Sequence, residues 1–250
     1  MDIWQLLLDL LLGVVLGVLG GLFGIGGGMV AIPVLGLLFG LDQMLAQGTA
    51  LVMVVPNVLL ALWRYHQRNR IDWRQALTLG LSGLICAWLA AQWALGLDAA
   101  SMRTGFAVFL LLLGLYNLAR LIWPQRSQKP LLALNWLPLT VLGSLAGALG
   151  GVFGVGGAVL ATPILTSLFG VGQVAAQGLS LALAAPSTAV TLASYASHGQ
   201  VDWLLGVPLA IGGLLGIGWG VRAAHALPER VLRGLFSGFL LVSAALLFGH

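Results

Sequence analysis

Charged side chains are scarce in this sequence. Lys, Arg, Asp and Glu make up 7% of the 250 residues, whereas apolar types supply 60%. No charged residue lies between Asp9 and Asp42 or between Lys129 and Asp202. A soluble domain carries about 25% charged residues because its surface faces water. Since apolar runs of about 18 residues indicate membrane helices, a soluble enzyme, a DNA-binding domain and a secreted disulfide scaffold are excluded. The sequence predicts an all-α, polytopic membrane protein.

Cysteine is nearly absent as well. Cys86 is the only one, so neither a disulfide nor a thiolate metal cluster forms within one chain. The formal net charge is +4, but 10 of the 11 basic residues are Arg, and most of these fall in loops. That pattern is typical of the positive-inside rule of membrane proteins and does not indicate nucleic-acid binding. We expect no cofactor, metal or catalytic centre.

The two halves of the chain repeat each other at an offset of 130 residues. GGLFGIGGGMVAIPVLGLLFG at 20–40 matches GGVFGVGGAVLATPILTSLFG at 150–170. In that register 22 of the 54 positions of 20–73 agree with 150–203, including Gln, Pro, Tyr, Asp and Trp residues. Low complexity would not align these residue types together, so the chain is an internal duplication.

Each half contains one apolar segment that is too short to cross a membrane. The segments near 28–40 and 158–169 have 12–13 residues. As helices they would be about 18–20 Å long, against a hydrocarbon core of about 30 Å. Each follows a Gly-rich motif. We therefore predict that each half begins with a broken or re-entrant pair of helices and continues with three ordinary spans, about eight or more membrane segments in all.

The charge of equivalent loops predicts how the halves face. Loop 64–74 contains four arginines and its counterpart 194–204 none, whereas 97–103 contains one and 222–233 three. Opposite bias places equivalent loops on opposite sides of the membrane, so we predict inverted repeats with both termini outside. Parallel halves are the alternative, and they leave the bias unexplained. The predicted division is a first membrane repeat at 1–124, a cytoplasmic linker at 125–130 and a second membrane repeat at 131–250.

The glycine motifs are the first candidate site. A Gly-rich break followed by a helix start leaves N–H groups free at the positive end of the helix dipole, which favours an anion. In inverted repeats two such breaks would meet near the bilayer midplane. Helix packing is the alternative, because Gly13, Gly17 and Gly21 form a small-xxx-small face. The glycines expected to break the helices are Gly26, Gly27 and Gly28 in the first half and Gly156 and Gly157 in the second.

Polar side chains within apolar segments are the second candidate. They are Gln47, Thr49 and Asn57 in the first half and Gln177, Ser180, Ser187 and Thr188 in the second. Because unpaired polar groups in hydrocarbon are costly, they should face a cavity or one another. We expect them to line the substrate path, with hydrogen bonding between helices as the alternative.

Ionisable groups are missing from the middle of the predicted spans, apart from Asp9 near one end. This argues against a conventional proton- or sodium-coupled pump, which usually needs a carboxylate within the membrane. An anion needs no coupling to leave a cell, because an inside-negative potential drives export by about 2.3 kcal/mol per charge per 100 mV.

A serine motif raises an enzymatic alternative. Gly80-Leu81-Ser82-Gly83 fits the G-x-S-G pattern of rhomboid intramembrane proteases. A serine nucleophile needs a base within hydrogen-bond reach, and no histidine falls within a predicted span. With 36 glycines in the chain a chance match is expected. We therefore expect no enzyme and keep an intramembrane serine protease as a remote alternative.

The duplicated motif G-G-x-F-G-x-G-G-G/A…P, followed by Q-G and an Asp-Trp pair, resembles the sulfite exporter TauE/SafE family of membrane permeases over roughly 5–249. The resemblance implies transport of sulfite, thiosulfate, sulfoacetate or another small sulfur-containing or organic anion. It also implies the bacterial plasma membrane, which is the inner membrane of a Gram-negative cell. Since Ala158 replaces Gly28 in the second half, the two hairpins need not contribute equally. The binding residues that it implies are Gly26, Gly27, Gly28, Gln47, Gly48, Gly156, Gly157, Gln177 and Gly178.

These patterns together predict a transporter of a small anion, with export favoured over import. A passive anion channel is the alternative within transport, and the two differ in whether flux saturates. The expected partners are the small anionic substrate and the lipid bilayer, without nucleic acid, and a homodimer is an open alternative to a monomer.

Overall fold

The structure is a computed structural model that describes residues 3–68, 71–122 and 134–248. Within these residues all regular secondary structure is helical. Eight of the ten helices found there are long and apolar enough to cross a membrane, whereas α2 and α7 have 12 and 10 residues. This confirms the predicted polytopic all-α membrane protein. The helices are α1 Ile3–Phe23, α2 Gly28–Phe39, α3 Gln43–Arg68, α4 Trp73–Ala94, α5 Ala99–Ile122, α6 Trp136–Phe153, α7 Ala158–Ser167, α8 Gln173–Ser197, α9 Trp203–Ala226 and α10 Glu229–Phe248.

The order of helices is the same in both halves. A long helix, a Gly-rich break and a short helix precede three long helices, first in α1–α5 and again in α6–α10. This order matches the duplication seen in the sequence. The predicted linker at 125–130 lies outside the described residues, so the division at that point stays a prediction.

The outer surface of the bundle is apolar. Leu8, Leu81, Leu204 and Leu215 are among the large side chains that are more than half exposed. Such a surface suits hydrocarbon, because lipid tails are as apolar as leucine. Tryptophans at helix ends are exposed as well, as expected for aromatic residues at the membrane interfaces. They are Trp4, Trp73, Trp93, Trp136 and Trp203.

Glycines hold the two halves together. A methyl group on Gly17 of α1 would overlap the backbone of Gly213 in α9, and one on Gly147 of α6 would overlap the backbone of Gly83 in α4. Because no side chain separates them, these helix pairs approach at backbone distance. The glycines upstream of the breaks therefore pack, as their spacing predicts, and α1 of the first half pairs with α9 of the second.

Helices α3 and α8 lie at the centre and run antiparallel. Gln47 near the start of α3 bonds to Tyr195 near the end of α8, and Gln177 near the start of α8 bonds to Tyr65 near the end of α3. All four side chains are at most 1% exposed. The equivalent central helices of the two halves thus cross the bundle in opposite directions.

Several arginines that the sequence placed in loops lie inside helices. Arg64 is in α3, Arg120 in the last turn of α5 and Arg222 in α9. The predicted loops 64–74 and 222–233 begin at Arg64 and Arg222, and these boundaries are wrong because α3 continues to Arg68 and α9 to Ala226. Long arginine side chains can extend along apolar surface while the charged head reaches a polar zone, so a helix continues past them.

Candidate functional site

Two non-helical turns of the same shape, which we call the breaks, separate α1 from α2 and α6 from α7. Each contains three glycines with positive φ, a conformation that other residues rarely adopt. The first break has φ values of 67°, 72° and 95° at Gly24, Gly26 and Gly27. The second has 68°, 71° and 74° at Gly154, Gly156 and Gly157. The predicted breaks at Gly26, Gly27, Gly156 and Gly157 are confirmed, whereas Gly28, which was also expected to break the helix, is the first residue of α2.

The helices that follow the breaks begin without a side-chain cap. Gly27 and Gly157 are the N-cap residues, and neither offers a side chain to the first turn. The N–H groups of Val30 and Ala31 donate back to Gly27 O, which leaves those of Gly28 and Met29 without an acceptor in the described part of the chain. Buried, uncapped helix starts favour an anion through free N–H groups and the helix dipole.

The two breaks meet inside the bundle. A methyl group on Gly28, the first residue of α2, would lie 3.5 Å from the carbonyl oxygen of Gly154 in the other break. Gly28 is buried, as is Ala158 at the start of α7. The start of one short helix therefore lies against the break that precedes the other.

The first break is held by a group that we name the Gln177 unit, formed by Phe23, Gly24, Tyr65 and Gln177. Tyr65 donates its hydroxyl to Gln177 Oε1 at 3.1 Å, and Gln177 Nε2 donates to Phe23 O at 3.2 Å. A methyl group on Gly24 would lie 2.9 Å from Gln177 Cγ. Phe23 ends α1, so its carbonyl has no partner within the helix. The glutamine of the second half satisfies it.

The second break is held by the equivalent Gln47 unit, formed by Val152, Gly154, Tyr195 and Gln47. The Tyr195 hydroxyl is 2.8 Å from Gln47 Oε1 and 3.2 Å from Val152 O. A methyl group on Gly154 would lie 3.3 Å from Gln47 Cβ. Gln47 is fully buried, and its Nε2 has no hydrogen-bond partner within the described residues. The Gln47 amide nitrogen thus keeps both of its N–H donors unpaired within the described residues, whereas the Gln177 amide nitrogen makes one hydrogen bond.

The structure brings the two breaks together but separates the two glutamines. Gln177 is bonded to Tyr65, which follows Gln47 by 18 residues on α3. That separation corresponds to about 27 Å of helix. Sequence reasoning placed both glutamines in one cluster, whereas the antiparallel arrangement of α3 and α8 puts them towards opposite ends.

Three other predicted site residues contact connecting segments. Thr49 Oγ1 accepts a hydrogen bond from the N–H of Asp202 at 2.9 Å. A methyl group on Gly48 would overlap the carbonyl of Gln200, and one on Gly178 would lie 3.2 Å from Ile71 Cδ1. These residues hold the segments that precede α9 and α4 against the central helices.

The remaining predicted polar residues lie on the central helices. Asn57 Nδ2 donates to Gly26 O at 3.4 Å, while its Oδ1 has no partner within the described residues. Ser187, the equivalent residue of the second half, donates to Leu183 O at 2.9 Å. Asn57 therefore contacts a break, whereas the Ser187 hydroxyl is satisfied within its own helix. Thr188 donates to its own helix in the same way.

Ser180 forms a pair that the sequence did not predict. Its hydroxyl is 2.9 Å from Thr162 Oγ1 on α7, and both side chains are buried. The equivalent residues of the first half are Ile32 and Ala50. The pair therefore exists in one half only, and a search for repeated residues could not find it.

Comparison with known proteins agrees with this architecture. The sequence profile of the family described as sulfite exporter TauE/SafE matches residues 9–247. The chain belongs to this family. A protein of Xylella fastidiosa named "probable membrane transporter protein" is 27% identical over 98% of this chain and 95% of its own length. A protein of Methanocaldococcus jannaschii with the same description is 31% identical over 64% of this chain and 62% of its own length. One of Bacillus subtilis is 23% identical over 82% of this chain and 83% of its own length.

As a member of the TauE/SafE family, the chain is a multi-pass membrane transporter. The structure gives no support to Ser82 as the nucleophile of a protease. The Ser82 hydroxyl donates to Thr78 O at 2.8 Å, within its own helix.

Two cavities are lined by arginines that sequence reasoning did not place in the site. The first, the Gln177 cavity, reaches Gln177 and the first break; the second, the Gln43 cavity, lies at the start of α3. Arg103 and Arg233 repeat at the offset of 130, as do Gln43 and Gln173, and this signal was available in the sequence. The polar linings are Asn117, Arg120, Thr162, Thr166, Gln173, Gln177 and Arg233 in the first cavity and Asp42, Gln43 and Arg103 in the second.

Proposed function

We propose that this membrane transporter carries a small oxyanion, sulfite or a related sulfur-containing or organic anion, across the bacterial plasma membrane. We further propose that the direction is export. The substrate class that the family name suggests agrees with the donors found in the fold.

The observation that carries the proposal is the excess of hydrogen-bond donors at the breaks. Both short helices begin without a side-chain cap, and the Gln47 amide keeps an unpaired N–H beside the second break. Buried donors without acceptors are costly unless a ligand or water satisfies them. An oxyanion supplies the acceptors and is further favoured by the two helix dipoles.

The predicted inversion of the repeats remains part of the proposal. It is supported by the antiparallel run of α3 and α8, which are equivalent helices of the two halves. With inversion, the ends of α3 and α9 face the cytoplasm and both termini face outside. In a Cys86→Ala background, Gln67→Cys should resist an impermeant external thiol reagent, and His198→Cys should react. Equal labelling of both would contradict inverted repeats.

Export is supported by charge. Arg120 and Arg233 line the Gln177 cavity, and none of the described residues that line it is acidic. The positive-inside rule places this end at the cytoplasm. An anion that binds at this end can leave the cell down the membrane potential without a coupling ion.

Asp9 is the residue that tests proton coupling. It is buried on α1, and its Oδ2 has no partner in the described part of the chain. The variant for this test is Asp9→Asn.

The test is sulfite flux in proteoliposomes with the membrane potential clamped and the pH varied. We expect saturable flux that follows the potential. Gln47→Leu should lower it at least about tenfold, a loss of about 1.4 kcal/mol of interaction with the anion. Gln67→Leu, which changes an exposed glutamine of the same helix, serves as the control.

Each other outcome has a defined meaning. Wild-type flux in a folded Gln47→Leu protein would remove Gln47 from the site. Flux that does not saturate would identify a passive anion channel, and flux that depends on a pH gradient and is lost in Asp9→Asn would identify a proton-coupled transporter. Absence of sulfite flux in folded wild-type protein would contradict sulfite as the substrate.

A further inference from the structure

An apolar groove of about 400 Å³ lies between α5, α6 and α7, and we name it the α7 groove. Leu112 of α5, Leu149 of α6 and Leu160 of α7 contribute to its walls. The described residues that line it are apolar except Tyr116 and Ser167. Leu112 is 62% exposed, so the groove opens on the outer surface of the bundle. A space of this size falls within the range of small-molecule sites, about 300–1,000 Å³.

The polar atoms of the α7 groove lie at the end where α5 and α7 finish. Tyr116 donates its hydroxyl to Ser167 Oγ at 3.0 Å. Arg120 follows Tyr116 by one turn on α5, and its Cζ lies 5.9 Å from the centroid of the Tyr116 ring. From Phe109 to Tyr116 the groove follows α5 for about 10 Å. It therefore has an apolar length and a cationic end.

Arg120 keeps hydrogen-bond donors at this end. Its Nη1 lies 3.4 Å from Pro163 O and from Thr166 Oγ1, whereas its Nε and Nη2 have no partner among the described residues. No carboxylate lies within ion-pair reach of it in that part of the chain. A guanidinium presents its N–H donors in a planar fork that matches the oxygens of a phosphate.

The polar end is specific to the second half of the duplication. At the offset of 130, Leu246 and Leu37 stand in place of Tyr116 and Ser167. Since leucines fill the equivalent positions, packing of these helices does not require a tyrosine and a serine. Hydroxyl groups at the surface of a membrane helix are favoured where a polar headgroup replaces hydrocarbon.

The predicted topology places this end at the cytoplasmic side, because α5 ends at Ile122 and the predicted cytoplasmic linker at 125–130 follows. The cytoplasmic leaflet is the one that carries anionic lipids. Basic pockets between membrane helices on this side bind the headgroups of such lipids.

We propose that the α7 groove binds an anionic phospholipid, with one acyl chain along α5 and the phosphate at Arg120 and Tyr116. The chain contacts Pro163 and Ile164 of α7, the short helix that follows the second break. The bound lipid thus supports α7 from the membrane side. Only the choice of leaflet rests on the proposed topology, and the identity of the transported anion does not enter.

The test compares phosphatidylglycerol with phosphatidylcholine of the same acyl chains. Each is added to delipidated protein in detergent, and native mass spectrometry gives the apparent Kd of the first bound lipid. We expect wild-type protein to bind phosphatidylglycerol at least about fivefold more tightly, equal to about 1 kcal/mol. This is the attraction of one arginine for an anionic lipid surface. Equal affinities for the two lipids would overturn the proposal.

Two pairs of variants locate the preference. Leu112→Trp fills the groove, and Val242→Trp changes the equivalent position of α10, which is 59% exposed. Arg120→Gln removes the cation, and Arg230→Gln removes the same charge from an exposed position at the start of α10. The first variant of each pair should reduce the preference to less than about twofold, and the second should keep it. Equal effects within either pair would refute the site.

The Leu112→Trp pair keeps the test decisive if Arg120→Gln fails to fold, because it changes an exposed side chain. Soluble glycerol 3-phosphate then separates a lipid from a free phosphate. At about a hundredfold excess it should displace little phosphatidylglycerol, since it lacks the chains that the groove covers. Displacement at equal concentration would assign Arg120 to a free phosphate and overturn the proposal.

A second copy of the chain is the other occupant that the experiment can detect. A dimer that dissociates in Leu112→Trp and shows no preference between the lipids would assign the groove to a protein contact and overturn the proposal. Lipid binding needs no transport. A preference for phosphatidylglycerol in protein without sulfite flux would therefore retain the lipid site and reject sulfite as the substrate.

Discussion

The Gln177 unit and the Gln47 unit are equivalent groups of residues in the two halves, and they differ in how many of their polar atoms have a hydrogen-bond partner. In both, a tyrosine of one half bonds to a glutamine of the other beside a glycine break. Gln177 also donates to Phe23 O, whereas the Gln47 amide N–H is unpaired in the described residues. The first unit has the bonding of a structural clamp, and the second retains a donor for a ligand.

This difference shows how the two copies of a duplicated motif can take different roles. The same residues in the same register serve as a helix C-cap in one half and, as we propose, as part of a binding site in the other. A buried donor without a partner is rare in folded proteins and needs an explanation such as a ligand or water. The aromatic contacts remain matched: Phe23 packs on Phe236 at 5.2 Å and Phe153 on Phe106 at 5.5 Å between ring centroids.

The largest effect is expected from adding a methyl group to the breaks. On Gly157 it would overlap the carbonyl of Ala146, whereas on Gly27 it would lie 2.9 Å from Leu16 O. We expect Gly157→Ala to destabilise the protein by about 3 kcal/mol or more, and Gly27→Ala by less, as measured by thermal unfolding in detergent.

Gly40→Ala is the matched control for this comparison. Gly40 has φ of 65° but nothing within 4 Å of an added methyl group, so only the backbone strain of about 1–2 kcal/mol applies. If Gly157→Ala unfolded no more easily than Gly40→Ala, the close contact between α6 and the second break would be wrong.

The second prediction separates clamp from binding site. Gln177→Leu removes the partner of Phe23 O and the nearer acceptor of the Tyr65 hydroxyl, which keeps Gly21 O at 3.4 Å, and should cost about 1–3 kcal/mol of stability. Gln47→Leu removes an amide whose N–H is already unpaired, and Tyr195 keeps Val152 O as an acceptor. It should cost less than about 1 kcal/mol. A larger loss of stability in Gln47→Leu than in Gln177→Leu would reverse the assignment of the two units.

The third prediction concerns the tyrosine hydroxyls. Tyr195→Phe leaves both polar atoms of the Gln47 amide without a partner and should cost about 1–2 kcal/mol. Tyr65→Phe leaves Gln177 Nε2 bonded to Phe23 O and should cost about half as much. Unfolding temperatures of the two variants provide the comparison. Equal shifts would mean that the Gln47 amide finds another partner, and its free donor could then not carry the proposed function.

Much of the fold could be predicted from the sequence, because few structures are compatible with long runs that lack charge and with a duplicated motif. The two short helices and the glycine breaks follow from segment length and from the run at Gly26–Gly28. The separation of Gln47 from Gln177 could not be predicted, since it depends on how α3 and α8 cross. The arginines of the cavities were missed because arginine near a span end was taken to mark a loop.

The smallest effect is expected where the second half departs from the first. Thr162→Val alone leaves the fully buried Ser180 hydroxyl without its partner on α7 and should cost about 1 kcal/mol. Adding Ser180→Ala removes the second polar group as well, so the double variant should return to within about 0.5 kcal/mol of wild type. This pair is apolar in the first half, where Ile32 and Ala50 stand. A thermal unfolding cycle of the single and double variants measures the coupling. Additive losses would show that the two hydroxyls act independently, and the hydroxyl pair would then not be what distinguishes α7 from α2.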